Sequence, residues 1–442
     1  MSDHRRNRGR ADCRTTARIR ICLVLASLFL ILCAGQRNEA TAGVRPPDQP
    51  QLVENWREVR RFKIGGDGRD WADAPDRFVF SLSGRLAASS AMNGVVRVYD
   101  LERGGTRSLR PPGGVTSIDI APDDKHIVTT PGMAFSNNRS LPGDNQLKVS
   151  VGLVNAIGLW DLESTKVIRH FAGHSSVVYA ATVSADGRHI LSASYDQTIR
   201  LWDFANGKEL KRLEGHTAAV SSLAITPDNR LALSGCWVRG ERGSADSTVR
   251  LWDLETGEET QRLEGHSPRI RKVMFSPDAS RAVTQCLEDV SPTQNQEVAR
   301  LWDLQSGKLM ARFVVEGQET PIAFSADGRL VVSAENNSAV LRDAEDGKEL
   351  RRLNGHDGKV TSVAVSPDGR RAVSGGSDGV VRVWDIEQAE QVASLRAHRS
   401  EIYSVSFSHD NRRVVSRDGD SLIVWERSPV DSQVPQEPVR RE

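Results

Sequence analysis

From Arg57 to Glu426, apolar and polar residues alternate in short runs, and each run ends in a turn. Alternation of this kind puts successive side chains on opposite faces of a strand. Ser366-Pro367-Asp368-Gly369 separates two such runs, as do Ala185-Asp186-Gly187, Pro227-Asp228-Asn229 and Ala326-Asp327-Gly328. Asp followed by Gly or Asn predicts a β-hairpin, because Gly and Asn tolerate the left-handed backbone the turn needs. A second turn, Glu255-Thr256-Gly257, is echoed at Gly207, Gly307 and Gly347. The pattern predicts an all-β chain with four short strands in each period and no amphipathic helix between them.

The period shows in one marker, an apolar residue, then usually Trp, then Asp. It occurs as Val98-Tyr99-Asp100, Leu159-Trp160-Asp161, Leu201-Trp202-Asp203, Leu251-Trp252-Asp253 and Leu301-Trp302-Asp303. It continues as Leu341-Arg342-Asp343, Val383-Trp384-Asp385 and Val424-Trp425-Glu426. The spacings are 61, 42, 50, 50, 40, 42 and 41, and six of the nine tryptophans sit at this one position. A Gly-His or a relic of it follows in phase at His174, His216, His266, His356 and His398. Eight units in phase, several carrying every mark, resemble the WD-repeat family of β-propellers over residues 56–426. The resemblance implies four-stranded blades around a central channel. It predicts an eight-bladed propeller, with seven blades as the alternative. No strand pattern follows Trp425-Glu426, so Arg57–Ile64 is expected to complete the last blade and join the two chain ends in one sheet. Such closure also removes an open sheet edge.

The resemblance assigns hydrogen-bonded tetrads to three units. They are His174, Ser192, Asp196 and Trp202; His216, Ser234, Asp246 and Trp252; and His356, Ser374, Asp378 and Trp384. A catalytic triad uses the same residue types, but a set repeated in blade after blade, ending on a donor-only indole, is structural. Other units depart from the pattern. Unit 5 has Gln296 where the turn Asp belongs. Unit 6 has Arg342 for Trp and Gln318 near the expected His. Units 1 and 2 lack the Gly-His, and unit 8 is one residue short between Ser416 and Trp425. The histidines fall one per blade, so no metal cluster with ligand spacing is expected.

Composition alters the picture mainly at the ends. The 442 residues hold 59 basic and 58 acidic side chains, so no charge excess favours nucleic acid. Residues 1–20 carry seven arginines, the apolar run 21–35 follows, and Ala40-Thr41-Ala42 has the small-x-small form of a signal peptidase site. Residues 1–42 read as a signal peptide for export to a periplasmic or extracellular compartment. The alternative is an uncleaved membrane anchor through residues 21–35. Cleavage leaves a net charge of −4, no membrane insertion, and only Cys236 and Cys286 of the five cysteines. Residues 43–55 read as a Pro-rich linker and 427–442 as a disordered tail. Cys236 and Cys286 occupy equivalent positions in adjacent units. They are either two reduced thiols or a disulfide, which needs Cα atoms within about 7 Å.

Three insertions fall between the second and third strands of their units, at Pro131–Ser150, Trp237–Ala245 and Leu287–Asn295. They read as loops on the face that carries the Gly-His segments. Aligning the inner strands brings Asp76, Thr116, Tyr179, Ser221, Arg271, Thr320, Thr361 and Tyr403 to the channel mouth on that face. Arg269, Lys359 and Glu401 lie two residues earlier in their units, and Tyr195 lies before a turn Asp. Tyr and Arg favour binding hot spots, whereas rings merely packed at the mouth would be the bland outcome. No phosphate-binding Gly-rich loop, HExxH or nucleophile elbow is present. The WD-repeat resemblance implies binding through the rim and channel mouth, so the expected function is non-enzymatic: a monomeric scaffold for a protein or peptide partner, without cofactor, metal or nucleic acid. The alternative is a propeller enzyme or ligand sensor with a site at the channel.

Overall fold

A computed structural model describes residues 54–64, 75–91, 94–112, 114–131, 155–237, 246–267, 269–291, 294–315 and 321–428. The chain divides into two compact units, 1–49 and 50–442. The first lies wholly outside the described residues, and with it the expected signal peptide and cleavage site. So do linker positions 43–53, tail positions 429–442, Gln318, Thr320, the Asp76 side chain and most of the first two insertions.

Eight four-stranded antiparallel sheets form the second unit, and no described residue is helical. Each sheet is one blade of a β-propeller. Within the first seven blades the strands follow chain order, as in blade 3: Val178–Val183, His189–Ser194, Ile199–Asp203 and Glu209–Leu213. The middle strands are buried on both faces, whereas Glu209–Leu213 alternates partly exposed and exposed residues before ending on buried Leu213. That difference explains why His-Ile-Leu-Ser-Ala-Ser is nearly all small or apolar while Glu-Leu-Lys-Arg-Leu is amphipathic. Residues at positive φ close the first hairpin of every blade: Gly84, Asp124, Gly187, Asn229, Ala279, Gly328, Gly369 and Asn411.

The core is a ring of eight apolar clusters, each shared by two neighbouring blades. Leu191, Ile199 and Leu201 of blade 3, for example, pack with Val220, Ala232 and Trp252 of blade 4. The ring closes through the N-terminal strand Trp56–Lys63, which pairs antiparallel with Ser421–Arg427 from Trp56↔Arg427 to Lys63↔Ser421. Phe62 and Ile64 of this segment join Val415 and Leu422 of blade 8 and Ala87 and Tyr99 of blade 1 in one cluster.

One insertion differs from the loop expected of it. In blade 5 the strands Arg281–Ser291 and Gln294–Asp303 continue their ladder past the blade edge, with Leu287↔Glu297, Glu288↔Gln296 and Asp289↔Asn295. Gln296 therefore does not stand in for the turn Asp but lies opposite Glu288 in this arm. Glu288 bridges Arg300 and Arg312, which fixes the arm in register.

Candidate functional site

Two sets of side chains occupy the end of the propeller where inner strands begin and second strands finish. The shared end follows from the register: Val178 pairs with Ser194, Ile270 with Cys286 and Val360 with Gly376.

The first set comprises the histidine networks. In blade 3, His174 Nδ1 contacts Asp196 at 2.8 Å, His174 Nε2 contacts Ser192 Oγ at 2.8 Å, and the Trp202 indole donates to Ser192 Oγ at 2.8 Å. Blade 4 links His216 to Asp246 at 2.7 Å and to Ser234 at 2.7 Å, with Trp252 donating to Ser234 at 2.8 Å. Blade 7 links His356 to Asp378 at 3.0 Å and to Ser374 at 2.8 Å, with Trp384 donating to Ser374 at 2.8 Å. Burial opposes ionisation of these carboxylates. Hydrogen bonds from His174 and Thr198 nonetheless hold Asp196 well below its ordinary value, and bonds from Arg382 and His356 bring Asp378 down to about 2. Every imidazole in these sets is buried and spent on a neighbour, so none presents a nucleophile–base pair to solvent.

Sequence reasoning missed a fourth network. His398 contacts Asp418 at 3.0 Å and Ser416 at 2.6 Å, and Trp425 donates to Ser416 at 2.7 Å. The turn Asp stands two residues after the Ser here rather than four, so the shorter hairpin hid it. The other blades keep fragments. Trp160 donates to Thr129 at 2.9 Å, and Tyr99 meets Ser89 at 3.1 Å. In blade 5, His266 meets Thr284 at 2.8 Å, but its buried Nδ1 has no partner. Burial pushes the His266 pKa down to about 3. In blade 6, Arg342 replaces the indole and pairs with Glu335 at 2.8 Å.

The second set lies at the mouth. Thr116, Ser221 and Thr361 bond to the neighbouring blade: each hydroxyl donates to a main-chain carbonyl in or just before the next inner strand, at Val178, Ile270 and Ile402. The serine that follows each accepts from that strand: Ser222 from the Val273 amide at 3.0 Å and Ser362 from the Val405 amide at 2.9 Å. The pairing Ser117 to Ala181 is longer, at 3.5 Å. These hydroxyl pairs fasten blade 2 to 3, 4 to 5 and 7 to 8. The sequence signal is a Thr/Ser-Ser dipeptide after the first Val of the inner strand. A Cβ on Gly235 or Gly375 would collide with Ile270 or Ile402, so glycine permits the close approach in two of these pairs.

Larger side chains stand out from the receiving strands. Tyr179 and Tyr195 face each other with ring centroids 6.2 Å apart, and Tyr195 is 58% exposed. Arg271 stacks over Trp237 at 5.5 Å and pairs with Glu297 at 2.9 Å. Arg269 pairs with Asp289 of the blade 5 arm. Tyr403 is exposed, and Arg417 lies over its ring at 5.3 Å. Lys359 is exposed at the same end of blade 7, and Glu401 is half-buried before Tyr403. Trp237, at the root of an insertion, joins this surface although the sequence reading did not single it out. Cys236 and Cys286 are free, buried thiols rather than a disulfide.

Comparison with known proteins agrees with this geometry. Residues 165–203, 207–253, 347–385 and 389–426 match the family model "WD domain, G-beta repeat". The chain folds as an eight-bladed β-propeller, and these four segments carry WD repeats. It is 39% identical over 79 residues to an uncharacterised WD repeat-containing protein of Synechocystis, covering 16% of this chain and 23% of that one. It is 36% identical over 61 residues to human WD repeat-containing protein 3, covering 14% of this chain and 6% of that one. It is 59% identical over 34 residues to the small ribosomal subunit protein RACK1 of Glycine max, covering 8% and 10%. These matches span less than a quarter of each relative's length. Propellers of this family generally act as protein-interaction scaffolds and are generally not enzymes.

Proposed function

We propose that this chain is an exported, non-enzymatic scaffold that binds a protein or peptide partner on the face bearing Tyr179, Tyr195, Trp237, Arg271 and Tyr403. The carrying observation is the concentration of rings and guanidinium groups there. Tyr179 and Tyr195 form one ring pair, and Arg271 lies on Trp237 5.5 Å away. Rigid rings and a stacked guanidinium bury much area on binding for little loss of side-chain freedom. The salt bridge from Arg271 to Glu297 pre-positions that guanidinium. A non-enzymatic role is supported by the buried imidazoles, each committed to its own blade.

A photo-crosslinking residue in place of Tyr195 tests the face. It is expected to give a discrete protein adduct in the extracytoplasmic fraction, and the same probe at Arg188, in a turn at the other end of blade 3, none. Adducts from Arg188 alone would overturn the assignment. Export rests on the 21–35 run and Ala40-Thr41-Ala42. Protein from that fraction is expected to begin at Gly43, and a start at Met1 would contradict cleavage.

A further inference from the structure

Blade 4 gathers three donor atoms of different chemistry in one buried place. His216 Nδ1 lies 2.7 Å from Asp246 Oδ2 and 3.0 Å from Cys236 Sγ. Donor atoms of the three residues all fall within 4.8 Å of one another. Each residue is fixed from behind. Ser234 holds His216 Nε2 at 2.7 Å, the Thr248 hydroxyl and amide hold Asp246 Oδ1 at 2.5 and 3.0 Å, and Cys236 Sγ lies 3.7 Å from the Ala218 carbonyl.

Local hydrogen bonding does not require the cysteine. Blade 3 has Ser194 at this position, donating to the corresponding Ser176 carbonyl at 3.2 Å, and blade 7 has Gly376. The expectation of no metal cluster counted histidines alone, one per blade. It did not weigh a histidine against the Cys and Asp that the hairpin returns to its side.

An imidazole nitrogen, a thiolate and a carboxylate, oriented by second partners, are the donors of a Zn(II) site. We propose that His216 Nδ1, Cys236 Sγ and Asp246 bind one divalent cation of the Zn(II) class, with the Ala218 carbonyl or water as fourth ligand. On binding, the imidazole proton moves from Nδ1 to Nε2, where Ser234 Oγ accepts it, and the thiol proton leaves to solvent. One proton is thus released per ion, and thiolate plus carboxylate balance the dication. Arg250, 3.2 Å from Asp246, is itself balanced by Glu259 at 2.7 Å. Blade 5 is the internal control. Cys286 occupies the equivalent place, but Arg300 donates to its sulfur at 2.8 Å, so a cationic group already fills the position.

The test uses the reduced full chain, stripped with chelator and titrated first with Co(II), then with Zn(II). The expected result is a thiolate-to-Co(II) absorption band that saturates at one equivalent and is displaced by Zn(II), together with a Zn(II)-dependent rise in Tm. Both are expected to persist in Cys286→Ser and to disappear in Cys236→Ser. Serine in place of Cys236 keeps the Ala218 hydrogen bond that Ser194 makes in blade 3, and Cys236→Ala gives the same readout if the serine variant does not fold. Absence of the band in the parent chain, or a band undiminished in Cys236→Ser, would overturn the site.

Discussion

Phe62, near the start of the propeller, pairs through its backbone with Leu422, near its end, and both side chains lie in the same apolar cluster. Closure of the ring therefore rests on a β-ladder inside blade 8, which joins the two ends of the propeller, and on the side-chain cluster that blades 8 and 1 share. Removing residues 43–64 deletes that ladder and the burial of Val59, Phe62 and Ile64. We expect a loss of about 5 kcal/mol, from a few kcal/mol for each large apolar side chain exposed. Denaturant melts of the truncated and parent chains check this, and coincident melts would refute the closure.

The histidine networks are graded. His356 is bonded at both ring nitrogens, whereas His266 has an unpartnered Nδ1. His356→Ala is expected to cost about 1–3 kcal/mol, because it leaves Asp378 and Ser374 short of a partner inside the blade. His266→Ala is expected to cost less. Equal losses in chemical melts would show that the imidazole–carboxylate bond adds nothing.

How much of this was legible in the sequence depended on periodicity. The Trp-Asp markers and Asp-Gly turns gave the blade count, because each mark serves a local backbone need that every blade shares. The pairing of Arg57–Ile64 with the last blade followed from counting strands. Asp418 was missed because it stands two residues after Ser416, where four separate Ser from Asp in units 3 and 7. The blade 5 arm was missed because Leu287–Asn295 carries polar residues at positions where an extended hairpin stands clear of the core. The Thr116, Ser221 and Thr361 hydroxyls were placed at the mouth, yet their use as blade-to-blade fasteners depends on how near the next strand approaches. No single-strand pattern reports that distance.

Asp119 sets a pH dependence opposite in sign to that of the tetrads. Its carboxylate accepts from the Thr182 hydroxyl at 2.9 Å and the Val183 amide at 2.9 Å, while burial pushes its pKa up to about 6. The folded state then holds the Asp119 proton more tightly than the unfolded chain. Its contribution is complete below about pH 4 and is lost as pH rises through about 6. Asp119→Asn is expected to match the parent near pH 4 and to exceed it by about 2–3 kcal/mol at pH 7.5. An Asp119→Asn melt that tracks the parent at both pH values would contradict this.

The binding face is tested most directly by measuring partner affinity for the double variant Tyr179→Ala/Arg271→Ala against the parent chain and Arg188→Ala. The face assignment predicts that the double variant loses about 2 kcal/mol or more of binding free energy, with its melting temperature still above the assay temperature, while Arg188→Ala binds as the parent does. Parental affinity in the double variant, or loss of binding only in Arg188→Ala, would contradict it.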